Sequence, residues 1–185
     1  MRKITKQGGT VLAPVPVVMV SCAAPEYRPN IITIAWTGLL CSDPVIVSIS
    51  VRPERYSHAI ISQSREFVIN LPSKELLRVT DYCGMVSGRD QDKFAVCGLT
   101  PVSAKQVQAP LIAEAPVNLE CKVSQVIPLG SHDLFIAEMV QAHYAETVLD
   151  ARGVLDLHAL PGVAYSNGSY YQVGEALGTY GFSRK

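Results

Sequence analysis

Two neighbouring stretches alternate apolar and polar residues with a period that no helix follows. Val117 to Ile127 reads VNLECKVSQVI, Asp133 to Val140 reads DLFIAEMV, and Pro128-Leu129-Gly130-Ser131 separates them. A period of two sends successive side chains to opposite faces of a strand, and a short Pro- and Gly-containing link joins two such strands antiparallel. The pattern predicts a long β-hairpin. A lone hairpin is marginal in water, so the rest of the chain must supply sheet neighbours.

The upstream half can do so. Val15 to Ala24 (VPVVMVSCAA) is β-branched and almost continuously apolar, which predicts a strand buried on both faces. Pro25 and Arg28-Pro29-Asn30 read as a turn, Ile31 to Trp36 as the returning strand, and Gly38, Ser42, Asp43 and Pro44 as its end. Val45 to Val51 is a third strand, with Ser48 and Ser50 on the face opposite Val47, Ile49 and Val51. Pro53 suits the first position of a helix, where its missing N–H costs nothing, and ERYSHAIISQS continues it with Tyr56, Ala59 and Ile60 inward. Glu66 to Asn70 is a short strand, and Ser73 is placed to cap a helix running towards Gly84.

Ser87 to Phe94 (SGRDQDKF) predicts a loop leading into a helical turn, and Leu99 to Ala109 an irregular segment or edge strand. Val154 to Leu157 and Ala164 to Gln172 are weaker strands, and the tail GEALGTYGFSRK can be ordered only by packing on something else. Many strands, two short helices and hairpins at both ends predict a mainly β, closed or nearly closed barrel with helices across its openings. Helices do not alternate with strands, which disfavours a doubly wound α/β sheet. The 185 residues suit a single domain, 1–185.

Composition removes several function classes. Lys+Arg and Asp+Glu are both 16, so no overall field favours nucleic acid or an anionic membrane. The five cysteines are odd in number and form no CxxC, which argues against zinc and against a disulfide framework. They read instead as buried or half-buried thiols in a reducing cytosol. The four histidines show no HExxH spacing. Met1-Arg2-Lys3 followed by Val11 to Ala24 imitates a signal peptide, but Pro14 and Pro16 interrupt its core, and no run reaches the roughly 18 apolar residues of a membrane span. A soluble, cytoplasmic protein is the expectation.

The candidate site lies between Asn30 and Ser57. Its first half joins an apolar run to Thr33, Ala35, Trp36 and Thr37 before Gly38, and can offer backbone groups and an indole to a flat ring. Its second half delivers Arg52, Arg55, Tyr56 and Ser57 at a helix start, a combination of cations, hydroxyls and oriented N–H groups suited to a phosphate. The same residues would serve an ordinary barrel strand and a solvated helix start. The serine row tips the balance, because Ser50 can meet a polar chain between ring and phosphate. Ser131-His132-Asp133 is not a catalytic triad, since consecutive residues of a strand point in different directions.

Taken in order, NIITIAWTG, SDPVIVSISVRPERYSHAII, EFVINLP, SGRDQDKF, APVNLEC, SHDLFIAEMV and YYQVGEALGTYGFS resemble the flavin reductase-like family, in particular its flavoredoxin-type branch. The resemblance covers nearly the whole chain. It implies a Greek-key split β-barrel and a homodimer holding one FMN per subunit near the interface. Electrons would come from NADH, NADPH or a redox protein partner, and the alternatives are an FMN electron carrier without such turnover or a non-redox dimer binding a phosphorylated ligand. It places Asn30, Thr33, Ala35, Trp36, Thr37, Ser50, Arg52, Tyr56, Ser57, Ser87, Gly88 and Lys93 around the cofactor. Lys93 would either sit beside the ring's N1–C2=O edge or be a solvent-exposed loop lysine. Many family members carry Gly-Asp-His before the strand that here begins at Asp133, whereas this chain has Gly130-Ser131-His132 with the aspartate displaced to Asp133, and His132 is left as the candidate to face the flavin. No residue need act as nucleophile or general base, because the flavin carries the chemistry. Gly174, Gly178 and Gly181 do not form GxGxxG, so a nicotinamide would stack on the flavin directly.

Overall fold

Strand β3 (Tyr27–Ile34) and strand β4 (Thr37–Ser42) are consecutive in the chain but lie at opposite edges of one seven-stranded sheet. Only Ala35 and Trp36 join them, so the sheet has to curl until its edges meet. The Ser50 N–H donates to the Trp36 carbonyl at 2.8 Å, which carries the β4–β5 pairing into that two-residue link. This computed structural model describes residues 1–184.

Between those edges the order is β3, β2 (Val18–Ala24), β6 (Glu66–Leu71), β9 (Val117–Pro128), β10 (Asp133–Tyr144), β5 (Val45–Val51) and β4, all antiparallel. The result is the expected mainly β split barrel. The predicted hairpin is β9–β10 at its centre. β1 (Val15–Pro16) leaves the main sheet to pair with β11 (Val163–Ser166), which pairs in turn with β12 (Ser169–Gln172). β7 (Pro101–Val102) and β8 (Leu111–Ile112) form a small separate ribbon.

Val47, Ile49 and Val51 point into the barrel with Val20, Ile32, Phe67 and Phe135, and Ile60 and Ile61 of α1 (Tyr56–Ser64) pack against them. Burying the apolar face of a nine-residue helix, rather than its weak intrinsic propensity, is what holds it. β2 is buried on both faces as predicted, because Met19 and Ile31 on its outer side and that of β3 are covered by α2 (Leu77–Met85) and α3 (Lys93–Cys97). The 99–116 segment is clasped to the sheet by buried polar side chains. Asn70 accepts from the Ile112 N–H at 3.1 Å, and Glu120 accepts from the Lys105 and Gln106 N–H groups at 2.9 and 2.6 Å.

Several local expectations give way. Arg28-Pro29-Asn30 is strand, not turn, because the bend is made at Pro25-Glu26. Residues 38–42 continue as β4, since the curled sheet offers β5 as a partner. Helix α1 starts at Tyr56, three residues after Pro53, and Ser57, Ile60 and Ile61 are its buried residues. Residues 154–157 form no strand and contribute one isolated bridge, Leu149 to Leu155. Ala164 to Gln172 is a tight hairpin whose turn is Asn167-Gly168, with φ of 48° and 84°; this Asn-Gly signal was readable in the sequence. Cys41 is exposed, unlike the other four thiols. Leu177, Tyr180 and Phe182 in the tail are exposed. No helix among the described residues is long and apolar enough to cross a membrane.

Candidate functional site

Two cavities open side by side where β3, the start of α1 and the 86–93 loop converge. The first, of about 340 Å³, is lined by Asn30, Tyr56, Ser57, Ser87, Gly88 and Lys93 among others. The second, of about 300 Å³, is lined by Thr33, Ala35, Trp36, Ser50, Arg52 and His132 with Tyr165 of β11. Ile32 and Arg55 line both, so the two form one continuous cleft.

The first cavity is built on a close approach of three segments. Asn30, buried at the middle of β3, donates from Nδ2 to Ser57 Oγ at 2.8 Å. Gly88 lies against that pair: a Cβ there would sit 2.2 Å from Asn30 Oδ1 and 2.7 Å from the Tyr56 ring. Only glycine lets the loop come this close. Two arginines tie the loop in place. Arg28 donates to the Gly88 carbonyl at 3.2 Å; Arg89 donates to the Glu54 carbonyl at 3.1 Å and stands over the Tyr56 ring at 5.8 Å.

Helix α1 begins at this cavity without a side-chain cap. The His58 N–H turns back to the Arg55 carbonyl at 3.0 Å, which leaves the Tyr56 and Ser57 N–H groups of the first turn without an intrahelical partner, and the helix dipole adds partial positive charge there. Arg55, its N-cap residue, takes part in none of the ion pairs among the described residues. Lys93 supplies a further cation from below. It is 2% exposed, and its Nζ donates to the Ile31 and Cys83 carbonyls at 2.7 Å each. An ammonium has three donors, so one is left for the cavity that Lys93 lines. Burial holds the Lys93 pKa below the usual lysine value, with the nearby Cys83 and Cys22 thiols opposing. This is no exposed loop lysine; Asp92 beside it caps α3, accepting from the Ala95 N–H at 3.2 Å.

The second cavity takes its walls from the end of β3, the end of β5 and the turn before β10. Trp36 is partly exposed at its mouth. Ser50 lines it, whereas Ser48 is buried away from it. Thr33 lines the cavity but its hydroxyl donates to the Thr80 carbonyl, and Thr37 lies outside both cavities with its hydroxyl on the Ser48 carbonyl at 2.8 Å. His132 contacts Ser131 Oγ through Nδ1 at 2.9 Å. Burial and then the Arg52 charge hold its pKa below the usual histidine value, with Glu54 opposing, so the ring is neutral at pH 7.

The structure therefore regroups the expected phosphate ligands. Tyr56 and Ser57 join Asn30, Ser87, Gly88 and Lys93 in the first cavity, while Arg52 sits with Trp36 and His132 in the second. Lys93 is likewise on the helix-start side and not beside Trp36. Arg55, not Arg52, reaches both. Arg52 faces Glu54 at 3.6 Å across an exposed pair of little energetic weight. The Asp133 carboxylate meets His58 Nε2 at 2.8 Å and not His132, so no triad forms. Arg89 and Tyr165 carried no sequence signal, since each reaches the cleft through packing of distant segments.

A family model described as flavin reductase like domain matches residues 11–174. An uncharacterized protein of Archaeoglobus fulgidus is 32% identical over 125 residues, covering 68% of this chain and 71% of that protein. The solved flavoredoxin of Desulfovibrio vulgaris (Miyazaki F) is 33% identical with a TM-score of 0.93 over 100% of both chains. Flavoredoxin from Methanosarcina acetivorans has a TM-score of 0.92 over 100% of this chain and 98% of that one; its 24% identity speaks for the fold alone.

Proposed function

The chain belongs to the flavin reductase-like family, in its flavoredoxin-type branch, and from that premise we propose that it is an FMN-dependent oxidoreductase. One feature of the cleft carries the reading. A buried cation with an unused donor, Lys93, and an uncapped helix start face the same cavity, and that cavity runs on into one walled by an indole and an imidazole. A dianionic phosphate answers both charges, and a flat ring suits the second cavity. The combined space lies within the range of small-molecule sites.

In this reading Lys93, Arg55 and the N–H groups of Tyr56 and Ser57 hold the phosphate, with Asn30 and Gly88 setting the shape of the floor. Ser50 meets the ribityl chain. Trp36 covers the ring, the backbone at Ala35 presents hydrogen-bonding groups to its edge, and His132 offers a neutral imidazole. When bound, the flavin supplies the hydride- and electron-accepting chemistry. The chain's own residues bind, orient and exclude water. Arg52, beside Trp36 and His132, adds positive potential where negative charge would develop on reduction. The subunit acts as a single domain and pairs into a homodimer in the cytoplasm, with NADH, NADPH or a redox protein as donor.

Similarity to flavoredoxin favours a second reading, an electron carrier without pyridine-nucleotide turnover. Anaerobic titration of the FMN-loaded protein separates the two. Bleaching of the flavin band by NADH or NADPH supports the reductase. Bleaching by dithionite but by neither nucleotide replaces it with the carrier. Protein that neither carries nor takes up FMN removes both and leaves the non-redox binding dimer.

A further inference from the structure

His58 and Asp133 form a contact that the flavin reading does not use. His58 is the third residue of α1, directly after Tyr56 and Ser57 of the first cavity. Asp133 opens β10, directly after His132 of the second. Their side chains meet at 2.8 Å, His58 Nε2 to Asp133 Oδ2, and are only 17% and 19% exposed.

Both ends of the contact are fixed from behind. The His58 ring packs edge-to-face on fully buried Phe135, with centroids 5.3 Å apart. Asp133 is paired with Val51 on one side and with Pro128 on the other, so its carboxylate starts from a rigid position in the sheet. The turn between β9 and β10 is further closed by the Leu129 N–H on the His132 carbonyl at 2.9 Å. A short, half-dry contact between a ring held by the core and a carboxylate held by the sheet is a strut. It connects the helix that opens one cavity to the turn that furnishes the other.

The geometry points to His58 as a positioning residue: through Asp133 it fixes where His132 stands in the second cavity and ties that position to the start of α1. What His132 faces rests on the flavin reading; the strut itself does not. His58 touches neither cavity and acts only through its partner.

The test begins without flavin. Imidazole NMR titration of the wild type should show His132 protonating below the ordinary 6.5. Arg52 and Glu54 are the charged groups that shape this titration from the neighbouring segment, and Asp133 is the charged group next to it in sequence. In His58→Leu, which keeps an apolar side chain on Phe135, all three charges remain while the turn loses its tether. The His132 value should then rise towards 6.5. His58→Gln, whose amide can donate to the carboxylate, should restore the wild-type value. Asp133→Ala breaks the strut from the other side but also takes a negative charge from beside His132, which by itself lowers the value, so a rise in that variant reports the lost tether alone; His58→Ala replaces His58→Leu should that variant not fold.

In the FMN-loaded protein, His58→Leu and His132→Ala should alter the visible flavin spectrum alike. The double variant should match either single variant, because two changes acting through one contact are not additive. An unchanged His132 titration in His58→Leu, or in His58→Ala where it takes its place, or additive spectral changes, overturns the proposal. A wild type that binds no flavin overturns the functional reading instead, and the apo titration then decides the strut alone.

Discussion

The Asn30 side-chain amide donates to Ser57 Oγ at 2.8 Å, joining the middle of β3 to the first turn of α1 with both residues buried. The bond lies beneath the first cavity, so it serves the fold and the site together. Asn30→Ala leaves the Ser57 hydroxyl without this partner, at a cost of about 1–3 kcal/mol. Urea unfolding of the flavin-free protein should show that loss, and FMN should bind more weakly as α1 loses its anchor.

Gly88 makes a sharper prediction because its constraint is steric. An added Cβ overlaps Asn30 Oδ1 at 2.2 Å and Tyr56 Cδ1 at 2.7 Å, and both belong to the pair of segments that the cavity needs. Gly88→Ala should cost roughly 1–3 kcal/mol, as overpacking of a filled site does. It should also weaken FMN binding, measured by equilibrium fluorescence quenching. Gly38→Ala is the control, with nothing within 4 Å of the added carbon, and should be close to neutral.

Lys93→Met tests the phosphate assignment. The ammonium's third donor, aimed at the phosphate, corresponds to a charge-assisted bond of about 1.5–3 kcal/mol, or roughly ten- to a hundredfold in affinity. The preference for FMN over riboflavin should shrink by that factor while riboflavin binding changes little. Arg52→Ala, with Arg52 in the other cavity, should leave the preference nearly intact. Should Arg52→Ala rather than Lys93→Met abolish it, the assignment of the two cavities is reversed.

The 99–116 clasp should respond to acid. Burial opposes ionisation of Glu120, but the Lys105 N–H, the His143 ring and the Gln106 N–H together hold its carboxyl below the usual glutamate value of 4.5. The unfolded chain then binds the proton first. The stabilisation is complete above pH 4.5 and is lost as pH falls through the lower folded value. Denaturant midpoints measured through the acid range should fall more steeply for the wild type than for Glu120→Gln, which has no such proton to take up.

How much of this was legible depended on the range of the signal. The β9–β10 hairpin, the doubly buried β2 and the loop leading into α3 follow from alternation, apolar runs and glycine, which act over a few residues. The serine face of β5 was also readable, and Ser50 does line the cleft. β4 was missed because Gly38, Ser42, Asp43 and Pro44 read as breakers, and only the closure of the sheet gives residues 38–42 a partner. Helix α1 was placed too early because Pro53 permits a helix start without requiring one.

The sequence by itself determined the periodicities, and with them the β9–β10 hairpin, β2, β5 and the absence of an alternating α/β pattern, while the order of its motifs carried the resemblance to the family. Tertiary structure alone decided that Lys93 is buried under a cavity, that Arg55 bridges two cavities while Arg52 lines one, and that Gly88 is pressed against Asn30. It also decided that Asp133 pairs with His58 and not with its neighbour. These depend on residues far apart along the chain: Lys93 meets Ile31 62 positions away, and His58 meets Asp133 75 positions away. Local patterns say which face a side chain takes. The closing of the sheet at Ala35-Trp36 sets which distant faces meet.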